Sequence, residues 1–390
     1  MAEFNGSIAQ VNVQFPIETV IEPIAGENYS RAVIFAHVDL ASENLPNVTT
    51  PTAGQKIELD SSSYASITGG LLKKWLVPFF TSATTAKVAV VLYDTDTTTT
   101  TVDPDTQEES TTTVEATCPL SKAYEKFKYY GYFKFALAEL SNYVSVQKEL
   151  ASLCLVDPLY STMWVGTSDT NVLKKTSALI TELNSVNANV RVIYNPNAEI
   201  NPALAQLGDT LAVVNSTGTP IGNDIDGHAF STINASGSLD SDGNYTNLTA
   251  TEKATLDEQK IGYNTAVGDG TENVVTEGSL TLTGEVVGAN WVKAYIEYLC
   301  KVKCANYITQ RNKFRNNAEY QGILTMMSAI IKPFIDFGRL ADYSITAPTF
   351  SQLPKSADSF TVANAWEATY IDRLRSVVVY GTLYVTTPSK

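Results

Sequence analysis

Short runs of apolar residues without polar alternation, set between segments of helical spacing, constrain this chain most. Arg31–Leu40 (RAVIFAHVDL) and Lys87–Tyr93 (KVAVVLY) have the pattern of strands covered on both faces. Between and after them the spacing turns helical. Ser62–Phe80 places Leu71, Leu72, Trp75 and Leu76 on one side, and Ser121–Leu153 carries a second helical pattern, bent near Gly131. A strand at Leu153–Asp157, a helix at Thr170–Asn187 and a strand at Val190–Tyr194 continue the series. Strands alternating with helices over 31–215 predict an α/β class with some α+β character: a layered mixed sheet with flanking helices.

Two β-prone segments lie outside that alternation. Threonine runs at Thr97–Thr101 and Thr111–Thr113 flank Asp103-Pro-Asp105, a turn-forming centre. Residues 95–117 are therefore expected to form a protruding, solvated β-hairpin. Residues 215–245, rich in Gly, Asn, Asp and Ser, read as surface loop. Thr249 followed by Glu252 is a capping box that starts a helix over Leu248–Lys260. Tyr263–Val267 and Ser279–Val287 are β-prone. Helices are then expected from Asn290 to about Phe314 and over Tyr320–Phe337, a strand at Leu340–Thr346 and a helix at Val362–Leu374. Trp291, Tyr295, Tyr298, Leu299 and Val302 share one helix face, a core stripe.

Composition narrows the function. The chain has 390 residues, enough for two or three domains, and 44% hydrophobic residues, enough for a real core. Its net charge of −14 argues against nucleic acid, whose phosphates call for clustered Lys and Arg, and against an anionic membrane surface. No apolar run is long enough to span a bilayer, and the first residues lack a secretory pattern. Only 17% of residues are charged, so copies of the chain repel one another weakly for their size.

Catalytic signatures are absent: no G-x-S-x-G, no H-E-x-x-H and no Walker-type phosphate loop. Gly268-Asp-Gly270 lacks the third glycine of a dinucleotide fingerprint. Asp240-Ser-Asp-Gly-Asn-Tyr245 places its glycine wrongly for a calcium loop and reads as a polar turn. Asp224, Asp226 and His228 read as a surface turn, with an ion site as the alternative. Cys300 and Cys304 share a helix face and read as small packed residues, because nothing nearby completes a metal site. We therefore expect no cofactor, no metal and no enzymatic activity. A surface-binding module and a hydrolase with a carboxylate pair are the competing readings.

Charge and strand propensity point instead to assembly. From Trp291 to Leu340 the chain carries Lys293, Lys301, Lys303, Arg311, Lys313, Arg315, Lys332 and Arg339 against Glu297, Glu319 and Asp336, a net +5 inside an acidic protein. Such a split suits an acidic partner. Both ends of the chain are extended. Val11, Val13 and Phe15 alternate with polar residues, and Ser376–Thr387 (SVVVYGTLYVTT) is one long strand pattern. Unpaired strands are templates for a neighbour's sheet.

The segment Thr249-Ala-Thr-Glu-Lys-Ala-Thr-Leu-Asp-Glu-Gln-Lys-Ile-Gly-Tyr-Asn264, the glycines at 278 and 284, Trp291-Val-Lys opening a long helix, Tyr320 with Gly322, Leu340–Thr346 with Pro348, and the closing Val377–Thr387 strand follow one another in an order that resembles the contractile tail sheath proteins of myophages and related contractile injection systems. The likeness covers about 245–390. It implies an arm at 1–25, an α/β body at 26–245, a sheath-like C-terminal domain at 246–375 and a C-terminal β-arm at 376–390. It implies stacked six-membered rings around a tail tube, with tube, baseplate and tail terminator proteins as partners. Strand pairing between subunits would fall to Val11, Val13, Phe15, Val377, Val379, Leu383 and Val385, and the tube-facing basic surface to Lys301, Lys303, Arg311, Lys313 and Arg315. Such proteins assemble in a host cytoplasm, reside in the virion tail, and drive the tube through a bacterial envelope without hydrolysing nucleotide.

Overall fold

The computed structural model describes residues 26–41, 45–46, 48–102, 109–138, 141–212, 229–230, 233–266, 274–308, 316–352 and 366–370. Its strands, in chain order, are β1 (Ala32–His37), β2 (Lys56–Leu59), β3 (Val88–Tyr93), β4 (Thr97–Val102), β5 (Glu109–Val114), β6 (Phe133–Leu137), β7 (Thr162–Thr167), β8 (Val190–Tyr194), β9 (Ala229–Phe230), β10 (Gly262–Ala266), β11 (Val274–Glu277), β12 (Leu340–Ile345) and β13 (Trp366–Tyr370). The principal helices are α1 (Gly70–Ser82), α2 (Leu120–Phe127), α3 (Tyr143–Val156), α4 (Ala178–Val186), α5 (Pro202–Ala212), α6 (Ala250–Glu258), α7 (Val287–Ile308) and α8 (Asn317–Asp336).

Nine strands form one sheet in the order β2-β3-β1-β6-β7-β8-β10-β11-β9. From β3 to β10 every pairing is parallel, and antiparallel strands close both ends. Parallel strands need crossover connections, so helices cover both faces and each strand buries both sets of side chains. One face packs Ile34, Val90, Phe135 and Trp164 against α1, α5, α7 and α8. The other packs Phe35, Val91, Val165 and Val192 against α2, α3 and α4. Residues 262–277, beyond the position 245 at which the sequence reading ends the body, supply β10 and β11 to this same sheet.

The expected strands at 31–40, 87–93 and 190–194 are present as β1, β3 and β8, and the hairpin as β4–β5. Five expectations are corrected. Leu153–Asp157 is not a strand but the end of α3, where an amphipathic helix buries Leu150, Ala151 and Cys154. The strand that follows is β7, buried throughout. Phe133–Leu137, read as part of a bent helix, is the central strand β6. It buries Lys134, whose ammonium donates to the carbonyls of Lys128 (2.7 Å), Gly131 and Tyr160 (3.4 Å). Those bonds satisfy its donors while burial lowers its pKa to about 7, and together they let a lysine sit in a core. The helix expected at 170–187 is a 3₁₀ turn at Thr170–Lys174 followed by α4, which Ser177 caps.

Ser279–Val287 is not a strand. It folds on itself as a tight turn at Gly284 (φ +92°), with Thr281 N donating to Glu285 O at 2.9 Å, and delivers the chain into α7. Val362–Leu374 contains no described helix. Trp366–Tyr370 is the strand β13, in which period-two alternation turns Trp366 and Ala368 onto the core and leaves Glu367 and Thr369 exposed. At α6 the capping box forms as expected. Glu252 N donates to Thr249 Oγ1 at 3.3 Å, and Thr249 N donates to Glu252 Oε2 at 2.8 Å.

The core stripe of α7 joins the later helices to the sheet. Trp291 Nε1 donates to Tyr29 O at 2.8 Å, and the Trp291 ring meets Phe133 edge-on at 5.4 Å. Tyr29 contacts the rings of Tyr132, Tyr295 and Tyr298 at 5.1–5.2 Å. Aromatic pairs at such distances add about 0.5–1.5 kcal/mol each beyond their burial.

Candidate assembly surfaces

Strand edges are the first candidates, because an unpaired row of N–H and C=O groups recruits another strand. The large sheet protects its own edges. At one end β2 is four residues long and carries Lys56 and Glu58, ion-paired at 2.7 Å; at the other β9 has two residues.

The small sheet of β12 and β13 is different. It is antiparallel with a bulge between Leu340 and Asp342, and among the described residues neither strand has a second partner. Tyr343, Ile345, Trp366 and Ala368 pack inward onto the core, while Asp342, Ser344, Glu367 and Thr369 are exposed. Beneath it Cys304, Tyr320 and Met327 form a satellite cluster with Ile345, Trp366 and Phe350, and Tyr320 Oη donates to Pro348 O at 2.7 Å. The hairpin is thus anchored by its inner face and presents two backbone edges. The strand-pairing residues assigned to the chain ends, Val11, Val13, Phe15, Val377, Val379, Leu383 and Val385, lie outside the described residues.

Of the basic set, Arg311, Lys313 and Arg315 also lie outside the described residues. Lys303 on α7 is exposed. Lys301, two residues earlier, is half-buried with its ammonium 5.8 Å from the centre of the Tyr160 ring, and burial lowers its pKa. It leans on the sheet-bearing part of the molecule. Lys332 pairs with Asp336 one turn on, at 2.9 Å.

Little of the remaining chemistry faces a ligand. The pit lined by Asn28, Tyr29, Tyr129, Gly131, Tyr132 and Tyr160 holds about 10 Å³, the space of one water. Burial raises the thiols of Cys154 and Cys300 to about 12 and Cys304 to about 11, which keeps them protonated and unreactive. Among the described residues no group of three or more His, Cys, Asp or Glu side chains could hold a metal ion. The Asp240 carboxylate is occupied as a turn anchor, accepting from Asp242 N (2.9 Å) and Asn244 N (2.8 Å). Asp224, Asp226, His228, Gly268 and Gly270 lie outside the described residues.

The sequence reading missed the β12–β13 edges because it made the second strand a helix. The signal was present in Trp366-Glu-Ala-Thr-Tyr370, whose apolar and polar residues alternate.

No protein-family model and no curated protein matches the chain. Among solved structures it is similar to a chain from the six-fold symmetrised cryo-EM structure of the anti-feeding prophage baseplate (TM-score 0.65, 10% identity, covering 92% of this chain and 94% of that one). It is also similar to a chain of the PVC sheath complex, from an extracellular contractile injection system in the contracted state (TM-score 0.57, 12% identity, 90% and 91% covered). Across nearly its whole length, this α/β chain has the fold of contractile injection system components.

Proposed function

We propose that the chain is a structural subunit of a contractile injection assembly and, within that class, the sheath protein that polymerises around the tail tube. The observation that carries the reading is the fold shared over nine-tenths of both chains with a contracted sheath complex. Two further features support it. Near the C-terminal end of the described chain, β12 and β13 have no further strand partner among the described residues, and both ends of the chain carry strand-prone sequence. In this reading the arms, through Val11, Val13 and Phe15 and through Val377, Val379, Leu383 and Val385, add strands to β12 and β13 of neighbouring subunits. Intermolecular backbone hydrogen bonds at about 0.5–1.5 kcal/mol each then hold the lattice while the bodies move.

Lys303, exposed on α7, and with it Arg311, Lys313 and Arg315, form in this reading the basic surface that faces an acidic tube. Baseplate and tail terminator proteins bound the polymer at its ends. Contraction is a switch between two packings of one subunit, which draws on contacts made during assembly and needs neither nucleotide nor cofactor. We assign the chain no catalytic role, and we place it in the tail of the assembled particle.

A baseplate component is the second reading, favoured by the higher TM-score of that neighbour. Mixing the purified protein with candidate tube protein distinguishes them by negative-stain electron microscopy. Long striated cylinders around the tube support the sheath, whereas decoration of one tube end supports the baseplate. Dispersed monomers under all conditions defeat both.

A further inference from the structure

At the N-terminal ends of β1, β6 and β7 an aromatic and aliphatic surface has no cover among the described residues. Tyr129 and Tyr160, both half-buried, meet edge to face at 5.1 Å and form part of the one-water pit. The end of α3 continues this surface, with Leu155 48% and Val156 76% exposed and Pro158 exposed beside them. The surface is held firmly. Tyr29 Oη donates to Leu159 O at 2.8 Å, Asn28 Nδ2 donates to Tyr129 O at 2.7 Å, and Tyr160 N donates to Asp157 O at 3.0 Å. A single exposed aliphatic side chain is ordinary, but two in a row beside paired tyrosines have the composition of an interface core.

The same surface carries a cation. Lys301 holds its ammonium near the Tyr160 ring, and among the described residues no carboxylate comes within ion-pair distance of it. Glu297, one turn back on α7, acts on it only from further off.

We propose that this surface seats residues 17–25 of the same chain, the segment that leads into it. The 3₁₀ turn Gly26–Ser30 brings the chain in at Asn28 and Tyr29, and both residues line the pit. At no more than about 3.6 Å per residue, Ile24 lies within about 14 Å of Asn28 and Glu22 within about 22 Å. The chemistry matches as well as the reach. Ile17, Val20, Ile21, Pro23 and Ile24 are apolar and suit Leu155, Val156 and the tyrosine rings. Pro23 has no N–H to desolvate and favours extended backbone at Glu22. Proline against aromatic rings is a recurring docking mode. Glu22 supplies the carboxylate for Lys301. The seat fixes the direction in which the chain leaves the body and leaves Val11, Val13 and Phe15 for other contacts. It uses no residue of β12 or β13 and does not rest on the sheath reading.

Amide hydrogen exchange of the full chain, dilute and concentrated, tests this. The amides of residues 19–25 are expected to exchange at least about tenfold more slowly than a free chain, equally at both concentrations. Val156→Asp is expected to abolish that protection while the amides of β1 and β6 keep theirs. Leu239→Asp, at another exposed aliphatic position (57%), is expected to change nothing. Lys301→Glu is expected to lower the protection about threefold, and adding Glu22→Lys to restore it. Exchange at free-chain rates, or equal loss in Val156→Asp and Leu239→Asp, overturns the proposal. Protection that rises with concentration also overturns it, because the occupant is then a second copy. Cylinder formation with tube protein reports on the sheath reading alone.

Discussion

Asp209 offers a sharp test of how the α1–α5 layer is built. It lies on α5, is only 9% exposed, and among the described residues its Oδ2 has no hydrogen-bond partner. Burial raises its pKa from 3.8 to about 6, and a hydrogen bond with Ser82 offsets part of that rise. The folded protein therefore holds this proton more tightly than the unfolded chain does. Below about pH 4 both states are protonated and the residue carries no charge penalty. Between about pH 4 and 6 its contribution to stability falls as pH rises, and above that the penalty is constant. At about 1.4 kcal/mol per tenfold change in proton affinity, the full penalty approaches about 3 kcal/mol. Asp209→Asn removes the charge and nearly preserves the volume. Urea denaturation is expected to show the variant more stable than wild type by about 1–3 kcal/mol at pH 8 and about equal at pH 4. An equal difference at both pH values, or no gain at pH 8, refutes the assignment of a buried, charge-penalised carboxyl.

Three substitutions probe the packing that carries the assembly surfaces, each measured by thermal or urea denaturation. A Cβ on Gly208 would lie 2.6 Å from Phe79 O and 2.8 Å from Phe79 Cα, both backbone atoms, so Gly208→Ala must part α5 from α1 and is expected to cost about 1–3 kcal/mol. Thr249→Ala removes the capping box of α6 and is expected to cost about 1 kcal/mol. Trp291→Phe keeps the ring burial but strands the Tyr29 carbonyl, and is expected to cost about 1–3 kcal/mol. No loss in the last variant would mean that α7 is not tied to the sheet through that bond.

Legibility differed between the parts of this molecule for physical reasons. Strands β1 and β3 are almost continuously apolar with both faces buried, so composition alone marks them, and β8 is readable through Val190, Val192 and Ile193 although Arg191 interrupts it. Residues 133–137 mislead because a lysine sits at a central position, and the irregular turn that offers it the carbonyls of Lys128 and Gly131, together with the distant Tyr160 carbonyl, takes shape only on folding. β7 is hard to read for a related reason: Thr162, Gly166 and Thr167 dilute its apolar character, while the helical stripe of α3 runs into the position assigned to a strand. Helix ends with local chemistry, such as Thr249–Glu252, were readable because the capping partners are three residues apart. The assembly surfaces were only partly readable. Charge could be counted along 291–340, but the side on which Lys301 lies depends on Tyr160, far away in sequence. The edges of β12 and β13, unpaired among the described residues, emerge only once residues 366–370 are seen to pair with 340–345.

The central claim, a polymerising sheath subunit joined by strand exchange, is tested most directly by cryo-electron microscopy of the full chain assembled with tube protein, beside a variant lacking residues 377–390. The account predicts hollow cylinders of regularly stacked rings, density for a neighbour's strand along an edge of the β12–β13 hairpin, and no cylinders from the truncated chain. Cylinders formed equally well without residues 377–390, or a β12–β13 hairpin with both edges bare in the assembled state, would contradict it.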